Sequence, residues 1–386
     1  MKFIYRCSEC GKEFKISPDI MVCDDCSARQ LDNEPVRGIL EVVLDGCIGK
    51  DFNIYDLLPV EKKYFPPIPV GNTPMWEPKR VREKTGFSRL YIKDDSLNPT
   101  GSLKDRASYL VAAFAKKFNI DQIVLASTGN AGSSMSGVGA AAGLKVKLFL
   151  PKSTPVAKMI QAKQYGADVV EVDGNYDLAY DLSLEYSKNQ GGMSRNTAYN
   201  PMTIEGKKTA ALEIYKQLKK VPDYVFVPVG DGVIISGIYK GFVDLKQLGF
   251  IKEIPTIYAV QSEGSSAIYR SLKTGNFENP IGSTTLADSI SVDVPRGGYY
   301  ALEMLKEYNG RAILVSDKEI LNAQNELARL SGLFAEPAAA TSYAGFLKES
   351  KYLPKDAQIV LLVTGSGLKD ITSARKGLED KNLEEK

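Results

Sequence analysis

The sequence predicts an α/β protein built from parallel sheets covered on both faces by helices. Three observations carry this expectation. Short apolar runs bounded by turn residues recur at 122–126, 146–150, 169–172, 224–229, 257–260 and 359–363, the pattern of strands buried on both faces. Between them lie amphipathic stretches with helical period, such as 155–165, 204–219 and 317–330. From about residue 90 the two kinds of segment alternate through Gly-rich turns, and the fixed hand of such crossovers gives a doubly wound architecture. Ligands of such sheets bind beyond the carboxyl ends of the strands.

A chain of 386 residues exceeds one ordinary core, so two principal domains and a small appendage are expected. Residues 1–30, dense in cysteine and charge, form a lobe. An irregular connector over 31–74 contains the Pro-rich stretch Phe65 to Pro69. A smaller α/β domain over 75–205 and a larger one over 206–386 complete the division.

Lys plus Arg total 49 against 47 for Asp plus Glu, a net charge of +2 that gives no reason to expect nucleic acid or acidic membranes as partners. No run approaches the roughly 20 apolar residues of a membrane span, and the N-terminus lacks the apolar core of a signal peptide. A small-molecule partner and a cytoplasmic location are the expectations. The chain has no histidine, which removes Ser-His-Asp triads, Cys-His dyads and imidazole proton shuttles together. Acid-base work must fall to Lys, Asp, Glu, Tyr, Cys or a cofactor.

Four of the five cysteines fall into two pairs, Cys7-x-x-Cys10 and Cys23-x-x-Cys26, twelve residues apart. Two such knuckles can close four thiolates around a structural Zn²⁺ without a histidine, and a lobe with so few apolar residues needs a staple of that kind. The lobe's cations are offset by Glu9, Glu13, Asp19, Asp24 and Asp25, so a structural or docking role is expected rather than nucleic-acid binding. Cys47 stands alone and reads as a small buried hydrophobe.

Three glycine-rich loops carry the chemistry. Asn98-Pro-Thr-Gly-Ser-Leu-Lys104 feeds a helix beginning near Ala107, with Ser102 as its N-cap and Lys104 in its first turn. There the positive end of the helix and local desolvation favour the neutral amine that attacks an aldehyde. Ser127-Thr128-Gly-Asn130 lies between a strand and a helix of small residues, where N–H groups and hydroxyls can grip a carboxylate. Gly230-Asp231-Gly232-Val233-Ile234 follows another strand and opens another helix, in a position to cradle a phosphate. That loop fails the dinucleotide fingerprint, because its third glycine would fall on Ile235. Gly206-Lys207-Lys208-Thr209 fails the Walker pattern, because the earlier glycine would fall on Pro201.

In order along the chain, NPTGSLKDR, STGNAGSS, the run Asn200 to Thr209, the GDG loop and VTGSGLKD make the chain resemble the fold type II pyridoxal-phosphate enzymes, and within them the threonine synthase family, over nearly its whole length. The resemblance implies pyridoxal 5′-phosphate carried as a Schiff base on Lys104, which also moves protons between Cα, Cβ and Cγ of an amino-acid substrate. It implies that Asn130 bonds the phenolic oxygen of the cofactor, Gly230 to Ile234 its phosphate, and Thr364 its pyridine nitrogen. Ser127 and Thr128 would hold the substrate carboxylate. The implied reaction turns O-phosphohomoserine and water into threonine and phosphate. Family members often form homodimers, and some carry a zinc-ribbon-like lobe.

Two positions depart from the family. Thr203 stands where many threonine synthases carry an arginine for the substrate phosphate, and Ser366 interrupts what is often TGHG. Arg195 is the first choice to replace that arginine, because it flanks the Asn196-Thr197 loop, with Lys207 and Lys208 as further candidates and Thr197 as a hydroxyl donor. The departures keep open a related serine/threonine ammonia-lyase or an O-phosphoserine-dependent synthase. A reading of another class is a zinc-ribbon binding protein with a degenerate enzyme body. Which substrate releases phosphate and which a 2-oxo acid separates the first two, and an absorbance spectrum the third.

Overall fold

The computed structural model describes residues 1–384 apart from Lys50, Ser153, Pro155 and Asn279. Thirteen strands are described: β1 Lys2–Cys7, β2 Glu13–Phe14, β3 Leu40–Asp45, β4 Met75–Trp76, β5 Leu90–Asp94, β6 Gln122–Ala126, β7 Lys145–Pro151, β8 Asp168–Val172, β9 Met193–Ser194, β10 Tyr224–Pro228, β11 Thr256–Ser262, β12 Arg311–Val315 and β13 Ile359–Val363. They form a large sheet of order β12-β11-β10-β13-β5-β4, a smaller sheet of order β8-β7-β6-β9 and a three-stranded sheet of order β2-β1-β3. All pairings in the large and small sheets are parallel except β4 with β5, and the three-stranded sheet is antiparallel.

Period-2 alternation sends neighbouring side chains to opposite faces. In β10 and β13, Val225, Val227, Val360 and Leu362 meet one core. It is covered by helices α4 Thr209–Leu218, α5 Val233–Gln247 and α6 Gly298–Glu307. Phe226, Leu361 and Val363 meet the other core, covered by the helix Asp317–Ser331 and by α7 Pro337–Glu349. In the small sheet, Ile123 and Leu125 pack on α1 Lys104–Lys117 and α2 Asn130–Ala142, while Val124 and Ala126 face the helix Tyr176–Gln190.

The expected strands all form. The helix expected over 155–165 spans Val156–Gln164, residue 155 lying outside the described residues. The one expected over 204–219 is two helices, α3 Met202–Lys207 and α4, meeting at Lys208, whose ammonium turns inward to Glu205 and Asp244. The sheets divide the chain differently from the boundaries expected at 30 and 75. β3 lies past residue 30 yet pairs along the whole of β1, and β4 and β5 lie past 75 yet belong to the large sheet. A strand's apolar content says that it is buried and nothing about which strand it pairs with. Cys47, expected inside, is exposed in the turn that leaves β3. Among the described residues no helix is long and apolar enough to cross a membrane.

Candidate active site

Lys104 is placed by a loop with little freedom. Asp105 accepts hydrogen bonds from the Thr100 N–H and hydroxyl at 2.7 and 2.5 Å, which curls residues 100–104 into the helix start. The Leu103 N–H donates to the Thr364 carbonyl at 2.9 Å, so the turn after β13 fixes the residue before Lys104. The cap of α1 is Leu103 and not Ser102, because helical geometry begins one residue later than expected; the Ser102 hydroxyl is buried without a partner. Lys104 is therefore the first residue of α1. Burial pushes its amine below the ordinary lysine value, while the Asp231 and Glu336 carboxylates pull the other way.

The amine opens on a cavity of about 350 Å³ between the two parallel sheets, lined among others by Ser127, Thr128, Asn130, Arg195, Thr197 and Asp231. Four separate segments of the chain thus converge, as expected of the carboxyl ends of parallel strands. The Ser127 hydroxyl accepts from the N–H groups of Gly129 and Gly132 at 3.2 and 2.9 Å and locks the turn into α2. The N–H groups of Thr128, Asn130 and Ala131 have no acceptor among the described residues and form a nest for an anion. Ser127 thus shapes this nest as much as it offers a hydroxyl.

Asn130 donates through its amide nitrogen to both oxygens of Glu336 at 3.1 and 3.0 Å, and its Oδ1 is buried without a partner. Glu336 was not legible from any motif. It precedes α7 and reaches the site because Gly365 has no side chain: a Cβ there would lie 2.3 Å from Glu336 Oε1. This is the physical reason for the first glycine of the Thr364-Gly-Ser-Gly turn.

The loop after β10 is held by close approaches. Gly232 has φ +86° and a Cβ there would lie 2.9 Å from Ala301 Cβ, while one on Gly230 would strike the backbone of Ile290. Asp231, an acidic residue inside a loop placed to cradle a phosphate, accepts from the Val233 N–H at 3.0 Å and the Thr197 hydroxyl at 3.1 Å. Burial would raise its pKa, but Lys104 and Lys207 nearby hold it below the ordinary carboxylate value. Gly230, Gly232, Val233, Ile234 and Thr364 are not among the residues that line this cavity. The N–H groups of Gly230, Asp231 and Gly232 have no acceptor among the described residues.

Arg195 follows β9, lines the cavity and is 1 % exposed, with Nη2 unpartnered and Nε 3.4 Å from the Ser108 hydroxyl. Burial lowers its guanidinium to about 10. Thr203 is buried away from the cavity and donates to the Asn200 carbonyl. Lys208 is consumed by its pairs with Glu205 and Asp244, which removes it as a ligand of substrate. Lys207 is buried, hydrogen-bonded to no described residue, and close enough to Asp231 to depress its pKa. Sequence reasoning missed a second lining cation, Arg296, which is paired with Asp177 and stacked over Tyr180.

At the far end of the chain, the sulfur atoms of Cys7, Cys10, Cys23 and Cys26 lie within 4.8 Å of one another, with two pairs at 3.7 Å.

Residues 68–365 match the family model described as pyridoxal-phosphate dependent enzyme. The chain belongs to this family. It is 35% identical over 379 residues to a threonine synthase of Methanosarcina acetivorans, covering 95% of this chain and 92% of that protein. It is 33% identical over 401 residues to a threonine synthase of Methanocaldococcus jannaschii, covering 98% and 95%. Among solved structures, threonine deaminase isoform 2 of Solanum lycopersicum superposes with a TM-score of 0.72 at 23% identity, over 87% of this chain and 96% of that one. An L-serine ammonia-lyase of Rhizomucor miehei does so at 0.70 and 20%, over 80% and 98%. These two likenesses establish the shared fold. A pyridoxal-phosphate enzyme needs an accessible amine, a phosphate cradle and polar partners for the ring. The residues present fit: Lys104 on the cavity, the unpaired N–H groups of 230–232, the orphaned amide oxygen of Asn130, and a Thr364 hydroxyl bonded to no described residue.

Proposed function

We propose that the chain is a threonine synthase, forming threonine and phosphate from O-phosphohomoserine and water. The observation that carries the reading is one cavity that joins a desolvated lysine, an anion nest and two arginines. Relatives aligned over nearly the whole length bear the same name.

Lys104 would hold pyridoxal phosphate, with Gly230 to Ile234 around its phosphate, Asn130 at its phenolic oxygen and Thr364 at its pyridine nitrogen. When bound, the cofactor supplies an electron sink for carbanions on the substrate's α and β carbons. The chain's own residues do the rest. The N–H nest at Thr128 to Ala131, shaped by Ser127, receives the substrate carboxylate. The Lys104 amine, its pKa lowered by burial, takes and returns protons at Cα, Cβ and Cγ, and in a chain without histidine no imidazole competes for that work. Arg195, with Thr197 beside it, meets the substrate phosphate in place of the arginine that Thr203 does not supply; its unpartnered Nη2 is a buried donor waiting for an acceptor. Glu336 fixes the Asn130 amide.

The four cysteines would hold one structural zinc. Thiolates about 2.3 Å from a tetrahedral zinc stand about 3.8 Å apart, close to the 3.7 Å pairs found here. Metal analysis of protein purified without chelator should return one equivalent of zinc.

The decisive assay is product identity. Holoenzyme given O-phosphohomoserine should release threonine and phosphate in equal amounts. Turnover of serine or threonine to 2-oxo acids, with no threonine made, would replace this reading with an ammonia-lyase. Arg195→Ala should impair use of O-phosphohomoserine by roughly ten- to a hundredfold, the worth of one charged hydrogen bond, with cofactor absorbance intact.

A further inference from the structure

The short strap that joins β1–β2 to β3 runs from the cysteine cluster to the wall of the cavity, and each step is a hydrogen bond. The Cys23 N–H donates to the Gly38 carbonyl at 2.8 Å, and the Gly38 N–H donates to Oε1 of Glu9, which lies inside the first Cys pair. Gly38 has φ +68° and a Cβ there would lie 2.8 Å from the Cys23 carbonyl oxygen, so strap and cysteine knuckle touch backbone to backbone. Glu9 also holds Arg37 at 3.0 Å.

At its other side the strap grips the segment around Arg296. The Val36 N–H donates to the Arg296 carbonyl at 2.9 Å, and Pro35 packs so closely on Gly298 that a Cβ there would lie 3.0 Å from its ring. The Tyr299 hydroxyl donates to Glu34 at 2.6 Å and the Tyr300 hydroxyl to Glu41 at 2.9 Å. Val36 is buried in the core beside Tyr300 and Ala301. The gripped segment meets the site twice: Arg296 lines the cavity, and the Gly297 N–H donates to the Asp231 carbonyl at 2.7 Å.

We propose that the four-cysteine lobe is a clamp that positions the Arg296–Gly297 corner of the active site, acting through residues 34–38. Arg296, Glu34, Tyr299 and Tyr300 are positioning residues in this scheme, and the metal-closed knuckles supply the fixed point against which the strap pulls. The scheme rests on the reading of the cavity as a site for O-phosphohomoserine and of the cysteines as zinc ligands.

The test uses the full-length holoenzyme and two independent perturbations. The first is the double variant Tyr299→Phe, Tyr300→Phe, which removes two donors of the clamp and leaves cysteines and cavity lining in place. The second is removal of the metal from wild-type protein with a chelator. Both should raise KM for O-phosphohomoserine on the order of tenfold, the effect of losing one or two ordinary hydrogen bonds, with kcat changed by less than about twofold. Amide hydrogen exchange should quicken over residues 294–300, and the double variant should keep its full zinc content. Wild-type KM and unchanged exchange at 294–300 in both samples would overturn the clamp. Failure of unmodified holoenzyme to use O-phosphohomoserine would instead overturn the substrate assignment, and the exchange measurement on the double variant would still decide the clamp.

Discussion

Lys104 is set apart from the other lysines by its surroundings more than by its loop. Among the described residues most lysines are exposed or paired, whereas Lys104 and Lys207 are desolvated, and of these two Lys104 alone lines the cavity, at a helix start. The sign of the resulting behaviour follows directly. Capture of an aldehyde needs the neutral amine, and an amine whose pKa lies below 10.5 has a larger neutral fraction than an ordinary lysine at the same pH. Uptake of pyridoxal phosphate by apoprotein should therefore climb with pH along a curve centred below that of free lysine. Borohydride should fix the cofactor on Lys104 alone, as read by peptide mapping; an adduct on another lysine would remove the proposed mechanism. Lys104, Asn130, Arg195 and Thr197 were all legible as residues, because each sits in or beside a loop whose composition announces a turn. Glu336 was not, because it lies in no glycine-rich motif and reaches Asn130 from 206 residues along the chain, and Arg296 was not, because its Pro295-Arg296-Gly297-Gly298 turn announces a bend and nothing about which cavity it borders.

Between elements, the start of α1 is anchored by a buried charge cluster that no motif announced. Arg106 pairs with Asp95 and Glu213 at 2.6 Å each, and Lys93 pairs with Glu213 at 2.6 Å, joining α1, β5 and α4 two residues from Lys104. Burial alone would raise the Glu213 carboxyl, but Arg106 and then Lys93 hold it down to about 2. A carboxylate with a depressed pKa gives stability above its unfolded value of 4.5 and loses it as pH falls from there through about 2. The protein should thus become less stable on acidification across that window. Glu213→Gln should destabilise it by about 3–5 kcal/mol near neutral pH by leaving buried cations uncompensated, and should flatten the acid slope. Chemical denaturation at pH 7 and pH 3 checks both; an unaltered slope in the variant would show that other carboxylates dominate. The strands and most helices could be read in advance because burial on two faces leaves a local signature. Their grouping into sheets could not, since β5 is separated from its partner β13 by most of the chain.

At the scale of the molecule, the cysteine lobe shares its core with the small domain: Tyr5, Cys7, Cys23, Leu40 and Val42 belong to one cluster with Leu110, Phe114, Met135 and Met202. Removal of the proposed zinc should therefore destabilise more than the lobe. Thermal unfolding of chelator-treated protein should begin below that of the zinc form, and restoring zinc should recover it. Identical curves would mean that the shared core holds the lobe without metal.

The order of the large sheet has a consequence for the birth of the enzyme. Its strand β13 stands between β10 and β5, yet it is synthesised after every other described strand of that sheet. Until residues 359–363 leave the ribosome, the two halves of that sheet have nothing to join them, and the carbonyl of Thr364 that steadies the residue before Lys104 does not exist. The small sheet, by contrast, is drawn from the uninterrupted stretch 122–194 and can close early. A nascent chain thus holds Lys104 in an unfinished setting until β13 has been made and has joined the two halves of that sheet.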